Sequence, residues 1–308
     1  MKEQKKISIA DIVSLVGLAA LLLFTFLGAY FKKGGEISMP IVLSAIVFAI
    51  TFLLCSLAKK FKQEEVSSKS GWLYWEITML VLYVVWALFS SQYSLHFFSV
   101  NSDREEMRKV CKMDCDSINA FIDRYVAAAE GAKEKVKNKL ANPSAEWRTW
   151  AKDHGVALNK NSIGTYVNET LQKELLDDTE YARKSWKEEV DGASAYVDKW
   201  SWLYVPGAAK KLKDVGEDAP RWLADKFKQI KMPGLSLDDS AIGSGLYSSI
   251  KGSKNTTLAG ILLTVLIHFL VLFSYLVSPR PGSVRIKRRY NSDGAIFLEK
   301  LENLEETK

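Results

Sequence analysis

The amino-acid sequence predicts an all-α membrane protein with four transmembrane helices, three near the N-terminus and one near the C-terminus. The main evidence is four long apolar stretches, at residues 9–31, 39–58, 73–98 and 257–277. Each reaches the roughly 20 residues that a helix rising about 1.5 Å per residue needs to cross the hydrocarbon core. Residues 100–255, between the third and fourth stretches, are polar and space their apolar side chains as helices do, so they predict a large inserted helical domain.

These patterns divide the 308 residues into four segments. We predict an N-terminal membrane domain at residues 1–99, an extracytoplasmic helical domain at 100–255, a fourth transmembrane helix at 256–278 and a short cytoplasmic tail at 279–308. The tail is too short to hold a kinase or nucleotide-binding domain, so a one-piece sensor kinase is not expected. The overall composition, 48% hydrophobic and 25% charged, resembles that of a soluble protein because it averages a lipid-embedded part and an aqueous part.

The positions of the basic residues predict the orientation in the membrane. Lysines and arginines precede the first span, lie between the second and third spans, and follow the fourth. The loop 31–38, on the other side of the membrane, has Lys32 and Lys33 as its basic residues. Because cytoplasmic loops carry an excess of lysine and arginine, both termini are predicted to be cytoplasmic and residues 100–255 to lie outside. A bacterial inner membrane, with a periplasmic helical domain, is the expected location.

A basic cluster follows the fourth span and consists of Arg285, Lys287, Arg288 and Arg289. Basic residues beside the exit of a transmembrane helix are typical of contacts with anionic lipid headgroups. We therefore interpret the cluster as a determinant of topology that contacts membrane lipids. Despite the net charge of +6, we predict no binding of nucleic acid.

Tryptophans near the predicted membrane surfaces are interpreted as interfacial anchors. Trp72 and Trp75 lie at the inner edge of the third span, and Trp200 and Trp202 are expected at the outer surface. Trp222 belongs to a segment at residues 220–231 that has an apolar face with lysines elsewhere, as an interfacial helix does. Packing of this segment onto the base of the inserted domain is the alternative interpretation.

Ionisable residues are rare in the predicted spans. His268 lies near the centre of the fourth span, whereas Asp11 and Glu76 lie close to the ends of theirs, where we expect them to reach water. One interpretation of His268 is a proton relay or a gate. The other is a neutral imidazole that forms an intramembrane hydrogen bond with a serine, a threonine or a backbone carbonyl of a neighbouring helix.

Two long helical patterns occupy most of the insert, at residues 102–140 and 162–204. We expect an antiparallel hairpin that ends at Pro206, followed by a flexible, Gly/Ser-rich lead at residues 236–253 into the last span. The apolar stripe of this hairpin contains alanine and cysteine where larger residues would bury more area. An uncovered apolar seam in water is expected to require self-association or a partner protein.

Cys111 and Cys115 lie four residues apart on the first long helix of the insert. In an oxidising compartment they could form a disulfide, either with each other or with the same residues of a neighbouring subunit. A bond within one helix is strained because the two Cα–Cβ vectors run nearly parallel. Free packing thiols and a metal or redox site are the alternatives that the sequence leaves open.

The sequence contains no motif that predicts a reaction. The patterns G-x-S-x-G, H-E-x-x-H, P-loop and G-x-G-x-x-G do not occur, and we predict no catalytic residue, no cofactor and no metal ligand. The predicted function is a non-enzymatic membrane scaffold or adaptor subunit of a multi-protein cell-envelope assembly, for example a secretion-type machine. Its expected partners are membrane lipids and either other envelope proteins or further copies of the chain. An oligomeric pore-forming channel and a receptor that relays an extracytoplasmic signal to a separate effector are the alternatives.

Overall fold

A computed structural model describes residues 8–63, 71–234 and 236–279. Within these ranges the chain is helical and contains no β-strand, which confirms the all-α prediction. The chain divides into two compact units. Among the described residues, the membrane unit comprises residues 8–29, 37–63, 71–99 and 256–279, and the insert unit comprises residues 30–36, 100–234 and 236–255.

Four helices have the length and apolarity needed to cross a membrane, as predicted. They are α1 (Ile9–Lys32), α2 (Ser38–Gln63), α3 (Gly71–Ser102) and α10 (Leu258–Val277). Hydrogen bonds connect the start of α1 to the ends of α2 and α10, and the start of α3 to the end of α10. Helices α1 and α3 therefore run antiparallel to α2 and α10. We call the end at which α1 and α3 begin the basal end of the membrane unit.

Glycines of α1 allow close packing within the membrane unit. A Cβ atom on Gly17 would lie 2.6 Å from the backbone nitrogen of Val271 on α10. A Cβ atom on Gly28 would lie 1.8 Å from the carbonyl oxygen of Tyr93 on α3. Small residues let the backbones of membrane helices approach each other, and here they bring α1 directly against two neighbouring helices.

Six helices form most of the insert unit in the described part of the chain. They are α4 (Arg104–Ala141), α5 (Ala145–Asp153), α6 (Lys160–Thr165), α7 (Asp178–Asp198), α8 (Val205–Ile230) and α9 (Gly245–Gly252). The apolar stripe that predicted α4 is buried along its whole length, from Met107 through Tyr125 to Leu140. Its members recur at intervals of three and four residues, which keeps them on one face of an α-helix.

The second long pattern of the insert is not one α-helix. Two π-helical segments, Tyr166–Leu171 and Lys173–Asp177, lie between α6 and α7. Buried residues here recur at strict intervals of four, at Ile163, Val167, Leu171, Leu175 and Thr179. In an α-helix, which turns about 100° per residue, the first and last of these residues would face directions about 160° apart. The wider π-helical path keeps them on one side.

Side chains complete the hydrogen bonding at the end of the π-helical region. The hydroxyl of Tyr125 donates to the carbonyl of Leu175 over 2.7 Å, and the hydroxyl of Thr179 lies 2.8 Å from the same oxygen. Arg183 donates to the carbonyl of Leu176 over 2.9 Å. Burial raises the pKa of Tyr125 to about 12, so its phenol stays protonated and remains a donor.

Helix α8 corrects the prediction of a two-helix hairpin. Pro206 and Gly207, which were expected to break the helical structure, lie in the first turn of α8, where proline is tolerated. The buried face of α8 includes Leu212, Leu223 and Phe227 and packs against α4 and α7. This third helix covers the seam that a hairpin would expose, so the seam itself requires no partner protein.

A glycine and a proline of α8 create a docking position for the following chain. Pro220 has no N–H group, so the carbonyl of Gly216 lacks its usual partner within the helix. The backbone N–H of Ile242 donates to this carbonyl over 3.0 Å. A Cβ atom on Gly216 would lie 1.9 Å from the carbonyl oxygen of Ile242, so a residue larger than glycine does not fit.

The Gly/Ser-rich lead predicted to be flexible contains helix α9 and packs against the insert unit. Leu246 and Ile250 of α9 are fully buried. The carboxylate of Asp114 on α4 accepts the backbone N–H groups of Gly245 (3.2 Å) and Leu246 (2.7 Å) at the start of α9. Burial raises the pKa of Asp114. These contacts show that long-range packing, which local composition does not reveal, orders this segment.

The loop between α1 and α2 belongs to the insert unit. Gly34 and Gly35 have φ angles of +64° and +92°, which fits the tight reversal that glycines favour. The hydroxyl of Tyr30 donates to the carbonyl of Leu203 over 3.0 Å. A Cβ atom on Gly35 would lie 2.9 Å from the backbone nitrogen of Gly207, so the loop packs closely on the start of α8.

Candidate functional site

An ion pair crosses the basal end of the membrane unit. Lys59 of α2 donates to the carboxylate of Asp11 on α1 and, over 2.7 Å, to the hydroxyl of Ser274 on α10. The Ser274 hydroxyl donates to Asp11 over 2.5 Å, and the Ser274 backbone N–H donates to the Ser14 hydroxyl over 2.7 Å. Three helices are thus joined by polar side chains. The sequence indicated Asp11 as a residue close to the end of its span, and Lys59 only as one of the basic residues between the second and third predicted spans.

Asp11 also caps α1. Its carboxylate accepts both the backbone N–H (3.2 Å) and the hydroxyl (2.9 Å) of Ser8, and the Ser8 hydroxyl accepts the N–H of Asp11 over 3.2 Å. This reciprocal arrangement is a capping box, which satisfies backbone donors at a helix start. The spacing Ser8-x-x-Asp11 is the sequence signal that could have predicted it.

A second carboxylate lies at the same end, and this one is buried. The prediction that Glu76 reaches water is wrong, because Glu76 is 3% exposed and accepts the hydroxyl of Tyr275 over 2.6 Å. Lys62 donates to the backbone carbonyls of Tyr275 (2.7 Å) and Leu276 (3.2 Å). Lysine at these carbonyls complements the partial negative charge at the end of α10.

A groove of about 1290 Å³ opens beside the ion pair, between α1, α2 and α10. We call it the basal groove. Its polar end includes Ser8, Lys60 and Gln63. The remaining wall is largely apolar and includes Leu15, Leu18, Phe52 and Val271. The groove is therefore amphiphilic, with charge at the basal end and hydrocarbon side chains further along the helices.

His268 lies between two hydroxyl groups of α3. The Tyr83 hydroxyl is 3.0 Å from Nδ1, and the Ser91 hydroxyl is 3.1 Å from Nε2. Because the Ser91 hydroxyl donates to the carbonyl of Ala87 over 2.5 Å, its oxygen can accept the Nε2–H of His268, which leaves Nδ1 to accept from Tyr83. The geometry fits a neutral imidazole with both ring nitrogens hydrogen-bonded to a neighbouring helix.

Cys111 and Cys115 are buried thiols, with their sulfur atoms 4.0 Å apart. The contact with Cys115 and burial raise the pKa of Cys111, which favours its protonated form. In the described part of the chain, no group of three or more His, Cys, Asp or Glu side chains is arranged to hold a metal ion. In this structure the pair contributes to the packing of α4.

The predicted tryptophan anchors have different environments. Trp200 is 8% exposed, and its Nε1–H donates to Asn101 over 3.0 Å inside the insert unit. Trp75 and Trp202 are exposed over 49% and 44% of their surface. Trp222 is partly exposed and packs edge-on against Trp186, with ring centroids 5.7 Å apart. Its helix is α8, so this segment packs within the insert unit.

Other predicted residues lie outside the described residues. They are the side chain of Trp72 and the basic cluster Arg285, Lys287, Arg288 and Arg289.

A second groove, of about 520 Å³, lies on the insert unit between α7 and α8. We call it the α7–α8 groove. Small residues line it, namely Gly192, Ala193, Gly207 and Ala208. Tyr196 and Tyr204 stand at its rim with their rings stacked, 4.8 Å between centroids and 19° between planes. Charged residues Glu188, Glu189 and Lys211 complete the lining.

Sequence reasoning did not identify the α7–α8 groove. The prediction treated α7 as one half of a hairpin and gave no partner to the start of α8. The small residues of both helices are the signal that could have located it, since they leave space where two helices meet.

Comparison of the chain with protein-family models, with curated proteins and with solved structures finds no match.

Proposed function

We propose that this protein is a non-enzymatic membrane adaptor whose insert unit binds a partner protein in a cell-envelope assembly. The observation that carries the proposal is the α7–α8 groove. Its small residues would let a segment of another protein approach the helix backbones, as in helix-in-groove recognition. Exposed tyrosines and both signs of charge surround this surface.

The rim of the groove has the composition of a protein interface. Tyr196 and Tyr204 are 47% and 55% exposed, although aromatic side chains of this size gain much from burial. Tyrosine is enriched in interfaces because it offers a large, stiff contact surface with a polar end. Glu188, Glu189 and Lys211 would select partners by charge and fix their orientation.

Filling the groove tests this function. Gly192→Arg places a long side chain at the groove, and it is expected to fold normally because no atom lies within 4 Å of a Cβ built on Gly192. Extraction of the native protein in mild detergent should yield a complex heavier than the 34.6 kDa chain with its micelle. We expect the substitution to abolish that complex. Native mass spectrometry would identify the partner as another envelope protein or a second copy.

Gly131→Arg is the matched control. Gly131 also lies within a helix of the insert unit with no atom within 4 Å of its Cβ position, but it does not line the groove. Loss of the complex in both variants would contradict the role of the groove. A strictly monomeric particle that conducts ions in lipid bilayers, and stops conducting in the variant His268→Asn, would replace the adaptor with the channel.

We also propose that both termini are cytoplasmic and that residues 100–255 lie in the periplasm of a bacterial inner membrane. The lysines before α1 and in the last turns of α2, and the lysines and arginines after α10, support this orientation.

Cysteine labelling tests the orientation. In a variant with the native cysteines replaced by alanine, a thiol reagent that cannot cross membranes should label a cysteine placed at Lys160 in cells with a permeabilised outer membrane. A cysteine placed at Lys69 should be labelled only after the inner membrane is opened, because Lys69 lies between the second and third spans, on the side predicted to be cytoplasmic. The reverse pattern would place the termini outside.

A further inference from the structure

We propose that the occupant of the α7–α8 groove is the same groove of a second copy of this chain, in a two-fold symmetric dimer. This inference rests on the proposed function, because it names the partner that the groove binds. In such a dimer the same surface of both copies forms the interface, so the surface has to be complementary to itself. The order of side chains along the groove meets this requirement.

The two sides of the groove have related side chains at matching levels. Tyr196 of α7 and Tyr204, just before α8, stack with 4.8 Å between ring centroids, so they lie at one level. Glu189 precedes Tyr196 by seven residues, and Lys211 follows Tyr204 by seven. Because α7 and α8 run antiparallel, seven residues along each, about 10.5 Å, lead to the same level again. Seven residues are close to two full turns, so each charge lies on the same side of its helix as the tyrosine.

Small residues form the layer between the tyrosines and the charges. They are Gly192 and Ala193 on α7 and Gly207 and Ala208 on α8. Among the described residues, no atom lies within 4 Å of a Cβ built on Gly192, and a Cβ on Gly207 meets only the Tyr30 hydroxyl, at 3.9 Å. The chain therefore leaves this layer open, and small residues allow the helices of a second copy to approach closely.

The charged layer contains both signs of charge on opposite sides of the groove. Glu188 and Glu189 line the α7 side, Lys211 lines the α8 side, and all three are exposed. Within the described ranges of the chain, none of the three forms an ion pair. They are therefore available to charges of a second molecule.

A two-fold axis along the groove brings complementary layers together. When two copies face each other about this axis, α7 of each copy lies opposite α8 of the other, at the same level. Glu188 and Glu189 of one copy then meet Lys211 of the second copy, and symmetry forms this contact twice. The tyrosine layers meet each other, as do the small residues. This charge complementarity is the reason for committing to a second copy.

Charge reversal in the full chain tests the inference. The variants Lys211→Glu and Glu188→Lys/Glu189→Lys each bring like charges together at both contacts of the dimer. Native mass spectrometry of the purified proteins in mild detergent, over a range of concentrations, should show that each variant alone dimerises at least about tenfold more weakly than the native chain. Co-expressed with different affinity tags, the two variants should form a heterodimer as stable as the native dimer, because opposite charges face each other again.

Lys210→Glu and Asp191→Lys are the matched controls. Each reverses the charge of an exposed side chain on α8 or α7 that does not line the groove. Dimerisation of both controls should match that of the native chain. All of these variants should melt at the native temperature, because the substituted side chains are exposed.

Several results would overturn the second copy as the occupant. They are a native chain that is monomeric, a dimer that persists in each reversal variant alone, a failure of the two variants to form the heterodimer, and an equal loss in the controls. If the native complex contains a different protein and Gly192→Arg abolishes it, the proposed function holds and only the present inference fails. If Gly192→Arg leaves the complex intact, both fail.

Discussion

Gly216→Ala is expected to release residues 236–252 from the insert unit and to cost about 3–6 kcal/mol of stability. The added Cβ atom would lie 1.9 Å from the carbonyl oxygen of Ile242, a backbone atom that cannot rotate away. Relief of this overlap breaks the bond from the N–H of Ile242 to the Gly216 carbonyl, which Pro220 leaves without another backbone donor. Leu246 and Ile250 would then lose burial against α4 and α8.

Hydrogen exchange of the full chain in detergent measures this release directly. Amides of α9 should exchange much faster in Gly216→Ala, whereas those of the stripe on α4 should stay protected. Gly131→Ala is the control, because alanine there meets no atom within 4 Å and should stabilise α4 by up to about 1 kcal/mol. Unchanged protection of α9 in Gly216→Ala would mean that Ile242 is not docked on α8.

Gly28→Ala is expected to separate α1 from α3 in the membrane unit. The new Cβ atom would lie 1.8 Å from the oxygen and 2.5 Å from the carbon of the Tyr93 carbonyl. Overpacking of a well-packed interior typically costs about 1–3 kcal/mol, and a clash between two helix backbones belongs at or above the upper end of that range. Separation of the helices would also disrupt the packing of Phe24 against Phe97 and Phe98.

Unfolding in mixed micelles by increasing amounts of sodium dodecyl sulfate measures this loss. The midpoint for Gly28→Ala should fall well below that of the native protein. Ala19→Val adds more volume to the same helix but at an exposed position, so its midpoint should hardly change. Equal midpoints for all three proteins would show that α1 and α3 do not meet at Gly28.

The membrane helices could be predicted because their signal is local. Length and apolarity within one stretch of chain determine whether a helix can span hydrocarbon, and four stretches met both conditions. The stripe on α4 was predictable for the same reason, since its spacing of three and four residues is a property of α4 alone. Neither prediction needed knowledge of what each helix packs against.

The docking of α8 and α9 could not be predicted because it depends on long-range partners. Pro206, Pro220 and the glycines near residue 243 all indicate breaks when the sequence is considered locally. In the structure, the free carbonyl created by Pro220 is the acceptor that orders the glycine-containing segment. The acceptor that Pro220 leaves in α8 and the donor in the glycine-containing segment therefore satisfy each other through a long-range hydrogen bond.

The polar contacts of the basal end were missed for a related reason. Asp11, Lys59 and Glu76 lie on three different spans, and each alone resembles a charged residue that reaches water. Only the antiparallel arrangement of the helices brings Asp11 to Lys59 and Glu76 to Tyr275. The distribution of lysines predicts the orientation of the spans, but it does not predict which of their polar side chains contact each other.

The bond between Tyr30 and Leu203 has a consequence for synthesis of the chain, because 173 positions separate the two residues. A ribosome adding about 5–20 residues per second reaches Leu203 roughly 9–35 s after it has made Tyr30. During this interval the loop 30–36 cannot pack, because the residues that it contacts have not yet been synthesised. The loop is therefore made early, but it can join the insert unit only late in synthesis. A fragment limited to residues 100–255 would lack the loop and leave Gly207 and Tyr247 uncovered. Production of the insert unit on its own therefore requires that the loop be joined to it.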